Sequence, residues 1–338
     1  MSYCICVDIG ATRLRVGLGT KSGDILDVVE RSTRDVVLQW RDEYSIARGI
    51  EDLIRNVLSR NNVDLDNIAG IGIGSIGPLD VKRGIIVHPP NLPLSDIDYI
   101  VKEYLEDKFG KKVIMLNDCV TAVWGEKWYG AGKECSNIVY VTFSTGIGGG
   151  VIVNDTLLLG ADGNAHEIGH VTVDPRPDAL RCGCGGLGHW EAYCSGIGIP
   201  RFSKMLAETE LRKLYEKSPI REIGFENYDL FTRKFFEYLK QGDEFCRAVF
   251  DKICLFNAIG ISTVIHYYNP ELIIIGGSIA INNRDEILQF RKYLNMFVMK
   301  GIRIPIFEIS PLGDYAILKG AIALVFNTPP TYVKFVRE

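Results

Sequence analysis

Two cysteines and two histidines lie close together in the chain at a spacing that suits a metal ion. Twelve residues separate His170 from Cys182, and Cys184 and His189 follow shortly after. With His166, this stretch contains three of the five histidines of the chain. Thiolate and imidazole ligands in a tetrahedral set suit Zn²⁺. We therefore predict a structural zinc site at His170, Cys182, Cys184 and His189, the alternative being two thiols in a flexible loop.

Carboxylates flank this predicted metal set on both sides, at Glu167 and Glu191. A carboxylate on a loop that a metal holds rigid is well placed to bind the hydroxyl groups of a sugar. The C-x-C spacing of the cysteines is tighter than the usual C-x₂-C, so the pattern alone is moderate evidence for zinc.

Two glycine- and threonine-containing turns each follow a strand-like segment. The Thr145–Gly150 segment has four glycines, which let the backbone approach an anion closely, and Thr145 adds a hydroxyl donor. Asp8–Thr12 lies between two strand-like runs in the same way. The alternative for each is an ordinary hairpin turn, but two such loops at equivalent places favour a pair of phosphate loops.

Asn117 and Asp118 follow the apolar run Lys112–Leu116, at the end of a predicted strand. Ligands bind at the carboxyl ends of strands in open α/β sheets. A carboxylate there can accept a proton from an attacking hydroxyl group. Aspartate is also a favoured helix N-cap, and the residues alone leave these two interpretations equal.

Dinucleotide binding is not favoured, although two segments match G-x-G-x-x-G. Gly72–Gly77 is followed by Pro78 and a turn, and Gly183–Gly188 has no strand before it. The fingerprint requires a strand before the glycines and a helix after them. No G-x-x-x-x-G-K-[ST] segment occurs, so a P-loop fold is not expected.

Hydrophobic patterning predicts an α/β chain in which a strand, a Gly/Thr turn and a second strand occur twice. We therefore expect two related α/β halves that face a cleft, each with one phosphate loop. The predicted strands are Tyr3–Ile9, Arg13–Thr20, Ile25–Arg31, Ile68–Ile73, Lys112–Leu116, Ile138–Phe143, Val151–Leu159 and Leu272–Ile275. The predicted helices are Tyr44–Asn61, Ile97–Phe109, Cys119–Tyr129 and Ala316–Phe326. Two further segments, Ser203–Glu216 and Tyr228–Tyr267, are predicted to be largely helical.

Composition restricts the class of protein. The 338 residues favour two domains, and 47% hydrophobic with 24% charged residues is ordinary for a globular protein. The net charge of −4 and the lack of a basic block give no sign of nucleic-acid binding. We expect no membrane span, no signal peptide and, from nine cysteines without a leader, no disulfide scaffold. A cytoplasmic protein is the expectation.

The ordered set of motifs resembles the ROK family (repressor, open reading frame, kinase) of sugar kinases, within the actin-like ATPase superfamily. The resemblance covers nearly the whole chain. The segments that carry it are Asp8–Thr12, Gly74–Pro78, Pro90–Leu92, Asn117–Asp118, Ser144–Gly150, Glu167–His170, Cys182–Glu191 and Gly276–Gly277. It implies a two-domain actin-like ATPase (ribonuclease H-like) fold with an interdomain cleft. We expect a small α/β domain of residues 1–117 and 316–338, and a large α/β domain of residues 118–315 that carries the zinc loop.

The resemblance also implies a role for each motif, with ATP and Mg²⁺ as cofactors. Asp118 is implied as the catalytic base. The implied sugar-binding residues are Gly77, Asn91, Asn117, Glu167, His170 and Glu191. The residues implied to face the phosphates and Mg²⁺ are Asp8, Gly10, Thr12, Thr145 and Gly146, and those near adenosine are Gly276 and Gly277. One ring nitrogen of His170 is expected to contact the sugar and the other the zinc.

Three positions depart from the family pattern. His189 replaces the third zinc cysteine, and because histidine is a competent ligand we expect a Cys₂His₂ site. Ala11 replaces a common glycine, which matters little if its φ is negative. His166 precedes Glu167 where a small residue is usual, and we treat it as a residue that can alter which sugar fits.

We expect an ATP:hexose 6-phosphotransferase, with a glucokinase or broad hexokinase first. An N-acetylmannosamine or N-acetylglucosamine kinase is the close alternative. The segment Ser144-Thr145-Gly146 resembles acetylmannosamine kinases more than typical glucokinases, which usually have Gly-Thr-Gly at this place. A sugar-responsive repressor is disfavoured, since the first phosphate strand begins at Tyr3 and no DNA-binding domain precedes it. A sugar-binding pseudokinase is disfavoured by Asp118 and the two phosphate loops. By base rate and family, the expected assembly is a homodimer or a higher homo-oligomer.

Overall fold

The computed structural model describes residues 2–337, which form a mixed α/β structure. The strands are β1 Tyr3–Ile9, β2 Arg13–Thr20, β3 Ile25–Ser32, β4 Ile68–Ser75, β5 Leu79–Asp80, β6 Ile85–Ile86, β7 Tyr99–Ile100, β8 Val113–Asn117, β9 Ile138–Phe143, β10 Ile147–Val153, β11 Thr156–Leu157, β12 Leu272–Gly276 and β13 Ile306–Ile309. The α-helices are α1 Thr33–Trp40, α2 Ser45–Asn61, α3 Lys102–Phe109, α4 Asp118–Tyr129, α5 Glu191–Cys194, α6 Gly198–Glu208, α7 Arg212–Tyr215, α8 Tyr228–Gln241, α9 Glu244–Tyr268, α10 Ser278–Asn282, α11 Arg284–Ile287, α12 Leu294–Phe297, α13 Ala316–Phe326 and α14 Pro330–Phe335.

The first sheet has the strand order β3-β2-β1-β4-β8. The strands β1, β2 and β3 are antiparallel neighbours, whereas β4 is parallel to both β1 and β8. In this register Asp8 is opposite Gly74, and Ser75 is opposite Asn117. The carboxyl ends of three parallel strands therefore lie side by side at one edge of the sheet.

The second sheet repeats this arrangement with the order β11-β10-β9-β12-β13. A hairpin, β10–β11, again lies on one side, and the parallel pair β12–β13 lies on the other. The internal repeat predicted from the sequence is therefore present in the strand order. A small third sheet, β5-β6-β7, follows β4 in the chain.

The chain divides by internal contacts into two compact units. The first unit contains Met1–Tyr140, Gly150–His166 and Ser310–Glu338, and the second contains Val141–Gly149 and Glu167–Ile309. The division passes through β9 and β10, and it leaves Asp118 in the first unit. The predicted domain limits at residues 117 and 316 stay a prediction.

The segment Tyr228–Tyr267, predicted to be largely helical, contains the two helices α8 and α9. It is interrupted at Gly242, which has a φ of 92°, and Asp243 then caps α9 by accepting a hydrogen bond from the Cys246 N–H group. By length and composition α9 is the one helix within residues 2–337 that would pass for a membrane span. Since 61% of its most apolar stretch is buried within the protein, α9 has the character of a core helix.

Two other predicted helices have different limits in the structure. The one predicted over Ile97–Phe109 begins only at Lys102, because Tyr99 and Ile100 pair with β6. The one predicted over Ser203–Glu216 begins earlier, at Gly198, and ends at Glu208 before the short α7. Sequence periodicity did not reveal the pairing partner of β7 or the turn after Glu208.

Helices α4 and α13 approach each other closely in the first unit because glycines lie at their contact. A Cβ atom on Gly320 would overlap the carbonyl oxygen of Thr121, and one on Gly125 would lie 2.6 Å from the Gly320 nitrogen. On β4, a Cβ atom on Gly72 would overlap the carbonyl oxygen of Ala321. This packing fixes the position of α4, whose first residue is Asp118.

Replacement of Gly320 by alanine tests this contact. Alanine is about 1 kcal/mol better than glycine inside an unobstructed helix. Here the added methyl group must push the two helices apart, and overpacking of this kind costs about 1–3 kcal/mol. We expect Gly320→Ala to lower the urea midpoint measured by circular dichroism. Gly183→Ala is the control, because a Cβ atom there meets nothing within 4 Å. Equal or higher stability of Gly320→Ala would contradict the close contact.

Candidate functional site

Asn117 and Asp118 join the end of β8 to the start of α4, and they divide the two roles that the sequence left open. Asn117 is the N-cap: its Oδ1 atom accepts hydrogen bonds from the N–H groups of Cys119 (2.9 Å) and Val120 (3.4 Å). Asp118 is the first helical residue and is half-buried, and its Oδ1 atom accepts from the Cys119 N–H group at 2.7 Å. The capping role therefore belongs to Asn117, and the carboxylate of Asp118 lies at the N-terminus of α4.

Other predicted residues of the first unit lie along the same sheet edge. Asp8 is the next-to-last residue of β1, and Gly77 follows β4 in a segment that the Ile76 N–H group ties to the Ile9 carbonyl oxygen at 3.0 Å. A Cβ atom on Gly77 would lie 3.9 Å from Nδ2 of Asn117. The structure thus brings Gly77 and Asn117 together. Asn91 is exposed, in the loop between β6 and β7.

The first phosphate turn is a tight connection between β1 and β2. The Gly10 N–H group donates to the Arg13 carbonyl oxygen at 2.9 Å, and the Thr33 hydroxyl donates to the Gly10 carbonyl oxygen at 2.8 Å. Thr12 is exposed at this turn. Ala11 does not take a positive φ, so the alanine fits the turn. Thr33, which no sequence motif marks, supports the turn from α1.

The second phosphate loop is shorter than predicted. Residues Gly148, Gly149 and Gly150 are part of strand β10, so the turn consists of Ser144–Gly146. The carbonyl oxygens of Ser144 and Thr145 accept from the N–H groups of Gly196 (2.7 Å) and Ile197 (3.2 Å). The glycines at 148–150 suit a strand that other groups approach closely, as at Gly150, where a Cβ atom would overlap the Cys119 carbonyl oxygen.

The two predicted nucleotide segments of the second unit are neighbours. Gly277, with a φ of 87°, follows β12 and begins α10. A Cβ atom at this position would overlap the Phe143 carbonyl oxygen and lie 2.5 Å from the Thr142 hydroxyl oxygen. Phe143 is the last residue of β9, directly before the Ser144–Gly146 turn. Gly276–Gly277 and the second phosphate loop are therefore next to each other.

The four predicted metal ligands form one cluster in the second unit. The donor atoms of His170, Cys182, Cys184 and His189 all lie within 4.8 Å of one another. The Sγ atom of Cys182 is 3.7 Å from Nδ1 of His170, and that of Cys184 is 3.3 Å from Nδ1 of His189. With metal bonds of ~2.3 Å to sulfur and ~2.0–2.1 Å to nitrogen, tetrahedral ligand atoms are about 3.3–3.8 Å apart. The donor set therefore fits a tetrahedral metal ion.

Burial shifts the pKa of two members of this cluster. Burial raises the pKa of the Cys182 thiol to about 12, and the Glu191 carboxylate adds to the rise. A bound cation would replace that proton, since a thiol that coordinates a metal is deprotonated. Burial lowers the pKa of His189, and His170 lowers it further, so the ring is kept in the neutral form that binds metals.

The predicted sugar-binding groups of the second unit surround this cluster. Nε2 of His170 lies 3.6 Å from Oε2 of Glu167, on the other side of the ring from the Nδ1 that faces Cys182. Glu191 is the first residue of α5, and its Oε1 atom accepts from the Cys182 thiol at 3.5 Å. Its Oε2 atom accepts from the Ile147 N–H group at 3.0 Å, next to the second phosphate loop. One carboxylate thus connects the metal cluster to that loop.

The loop that carries the cysteines has a buried support that the sequence did not reveal. The carboxylate of Asp174 accepts from the guanidinium of Arg176 and from the Tyr193 hydroxyl at 2.7 Å. The Tyr193 oxygen in turn accepts from the Leu180 N–H group at 2.8 Å. The hydrogen bonds from Arg176 lower the pKa of Asp174. Asp174, Arg176 and Tyr193 belong to no sequence motif, so this support could not be predicted from the sequence.

His166 is buried at 2% exposure, and its Nε2 atom is 2.9 Å from the Gly163 carbonyl oxygen. This ring contributes to the packing of its own loop in the first unit.

Comparison with known proteins agrees with these arrangements. The model of the ROK family matches residues 4–328. A glucokinase of Pyrobaculum calidifontis is 36% identical over 337 residues, which cover 99% of each chain. The crystal structure of a ROK family glucokinase from Streptomyces griseus, in complex with glucose and AMPPNP, has 28% identity and a TM-score of 0.72 over 96% of this chain and 99% of that one. A ROK hexokinase from Thermus thermophilus has 25% identity and a TM-score of 0.77 over 98% and 99%.

The predicted two-domain actin-like ATPase fold is confirmed by these structural matches, and the predicted sugar kinase family is confirmed by the family match and the glucokinase relatives. The chain belongs to the ROK family, among its sugar kinases.

Proposed function

We propose that the chain transfers the γ-phosphoryl group of ATP to the 6-hydroxyl of a hexose, with glucose as the first substrate. The observation that carries this proposal is the placement of Asp118 at the N-terminus of α4, at the carboxyl edge of the first sheet. Asn117 makes the capping hydrogen bonds there, so the carboxylate of Asp118 is not required as the N-cap. The glucokinases among the similar proteins support glucose.

In the proposed mechanism, the oxygen of the 6-hydroxyl attacks the γ-phosphorus while the bond from this phosphorus to the β–γ bridging oxygen breaks. The proton of the hydroxyl passes to the Asp118 carboxylate, and ADP leaves with the bridging electron pair. Gly10 and Thr12 on one loop, and Thr145 and Gly146 on the other, bind the phosphate oxygens. Mg²⁺, when bound, neutralises charge that develops on these oxygens, and Asp8 is the carboxylate placed to interact with it.

We propose that Gly77, Asn91 and Asn117 in the first unit bind the sugar. Nδ2 of Asn117 makes no hydrogen bond within residues 2–337, so the amide has donors to offer while Oδ1 caps α4. The proposed partners in the second unit are Glu167, His170 and Glu191, and Gly276 with Gly277 is proposed to line the adenosine site. Sugar contact through Nε2 of His170 agrees with the orientation of Nδ1 toward Cys182.

Sugar identity is tested by competition. The Ser144-Thr145-Gly146 turn keeps N-acetylmannosamine and N-acetylglucosamine as the second candidates. ADP release should be measured with glucose, mannose, fructose and both acetylhexosamines, and kcat/KM compared. The proposal expects the highest value for glucose. A preference for an acetylhexosamine would replace glucose while leaving the kinase chemistry in place.

We propose zinc as the metal of the His170, Cys182, Cys184 and His189 cluster. Two cysteines and two histidines whose donor atoms lie within 4.8 Å of one another match its ligand preferences. We also propose a cytoplasmic homodimer or higher homo-oligomer that binds neither nucleic acid nor membrane. Size-exclusion chromatography with light scattering would test the assembly.

Replacing Asp118 by asparagine tests the proposed base. The amide keeps the shape of the side chain but cannot take the proton, so we expect kcat to fall by at least ~10²-fold. Glucose binding, measured by calorimetry, should change little. Asp66→Asn is the matched control, because Asp66 is exposed in the same unit, and it should keep full activity. Near-normal kcat in Asp118→Asn would refute the assignment of the base.

Substitution of His189 tests the metal site. We expect about one zinc per chain in the native protein and in His189→Cys, because thiolate is also a good zinc ligand. His189→Ala should lose zinc and raise the KM for sugar, since Glu191 lies two residues after His189 and His170 is proposed to contact both the metal and the sugar. Cys135→Ala is the control, because Cys135 lies outside the cluster. Metal analysis and kinetics provide the measurements.

Unchanged zinc content in His189→Ala would mean that His189 is not a ligand. Absence of zinc from the native protein, with activity intact after chelation, would reduce the cluster to free thiols and histidines.

A further inference from the structure

A buried ion pair joins β1 and β2, the two strands that flank the first phosphate turn. Its acidic member, Asp8, was selected from the sequence, whereas its basic member, Arg15, was not. Asp8 on β1 and Arg15 on β2 are register partners, and their side chains are 7% and 10% exposed. Both Nε (2.9 Å) and Nη2 (2.5 Å) of Arg15 donate to the same carboxylate oxygen, Oδ2 of Asp8. Nη2 also donates to the Asp314 carbonyl oxygen at 2.8 Å.

The two oxygens of the Asp8 carboxylate have different hydrogen bonding in this geometry. Oδ2 receives both bonds from the guanidinium, whereas Oδ1 forms no hydrogen bond within residues 2–337. The bond from Arg15 to Asp314 ties the guanidinium to the turn before α13, 299 residues away in the chain. Arg15 is thus held from two sides, and it fixes which carboxylate oxygen remains available.

The charges of Asp8 and Arg15 balance each other next to the proposed phosphate site. Burial raises the pKa of Asp8, and the Arg15 charge and hydrogen bonds act against that rise. Arg13 also favours the ionised carboxylate, while Asp314 disfavours it. Without Arg15, a buried carboxylate would either take up a proton or place an uncompensated negative charge beside a polyphosphate. The ion pair keeps an acceptor oxygen and removes the net negative charge.

We propose that Arg15 is a positioning residue for the nucleotide, acting through Asp8. It orients the Asp8 carboxylate, so that Oδ1 is the acceptor offered to the water ligands of a hydrated cation at the phosphates, while the pair as a whole does not repel the nucleotide. This inference rests on the proposed function, because Asp8 is placed at the phosphates there. The contrasting interpretation is an ion pair that only joins β1, β2 and the turn at Asp314.

Three variants separate these interpretations. Arg15→Met removes the charge and keeps the length of the side chain. Arg15→Lys keeps the charge but has a single donor group. The double variant Arg15→Met with Asp8→Asn removes both charges, so no buried charge is left unpaired. For each, kcat and the KM values for glucose and Mg·ATP are measured, and Mg·AMPPNP and glucose binding are measured by calorimetry.

For Arg15→Met we expect Mg·AMPPNP affinity to fall at least ~30-fold, the smallest loss typical of leaving one member of a buried charge pair unpaired. Glucose affinity should stay within about twofold, because Arg15 bonds to Asp8 and Asp314 and to none of the proposed sugar residues. Arg15→Lys should recover much of the nucleotide affinity. The double variant should also bind Mg·AMPPNP better than Arg15→Met, yet keep a low kcat because its amide lacks the charged acceptor.

A purely structural ion pair would give another pattern. The affinities for glucose and nucleotide would fall together with stability in Arg15→Met, or neither would change, and either result overturns the inference. If Arg15→Met does not fold, the kinetics of Arg15→Lys are compared with those of the wild type. A raised KM for Mg·ATP at an unchanged KM for glucose supports the inference. A KM for Mg·ATP equal to that of the wild type overturns it. Failure of the proposed function is distinct, because wild-type protein would then fail to phosphorylate glucose or to bind Mg·AMPPNP.

Discussion

The close approach of α13 to α4 and β4 is the constraint on which the first half of the site depends. Gly72, Gly125 and Gly320 lie where any side chain would overlap a neighbouring backbone. This contact sets the depth of α4 against the sheet, and Asp118 is the first residue of that helix. Because the carboxyl ends of β1, β4 and β8 are aligned, the same edge also receives Asp8 and Asn117. The chemistry proposed for Asp118 is thus a consequence of backbone packing.

In the second unit, one carboxylate has the corresponding role. Glu191 accepts from the Cys182 thiol through one oxygen and from the Ile147 N–H group through the other. It also fills the space that a side chain at residue 146 would need. The loop that carries Cys182 thus contributes to the position of Glu191, and Glu191 in turn contacts the start of β10.

Local signals in the sequence were sufficient for much of this structure. The Gly/Thr turns, the Asn117-Asp118 pair and the His/Cys spacing all have types and positions that directly imply chemistry. Contacts between distant segments could not be predicted from the sequence. Examples are the hydrogen bond from Arg15 to Asp314 and the pairing of β7 with β6. Composition misled at Gly148–Gly150, which suited a loop but form a strand. It left the role of Asp118 open, and in the structure Asn117 is the N-cap of α4.

The position of the transferred phosphoryl group tests the central claim most directly. Protein, ATP, Mg²⁺ and glucose should be incubated together and the product examined by proton-coupled ³¹P NMR. A phosphate on the 6-oxygen is next to a CH₂ group and gives a triplet, whereas a phosphate on any other glucose oxygen is next to a CH group and gives a doublet. The account predicts a triplet, and no sugar phosphate from 6-deoxyglucose. A doublet, or ADP release without any sugar phosphate, would contradict it.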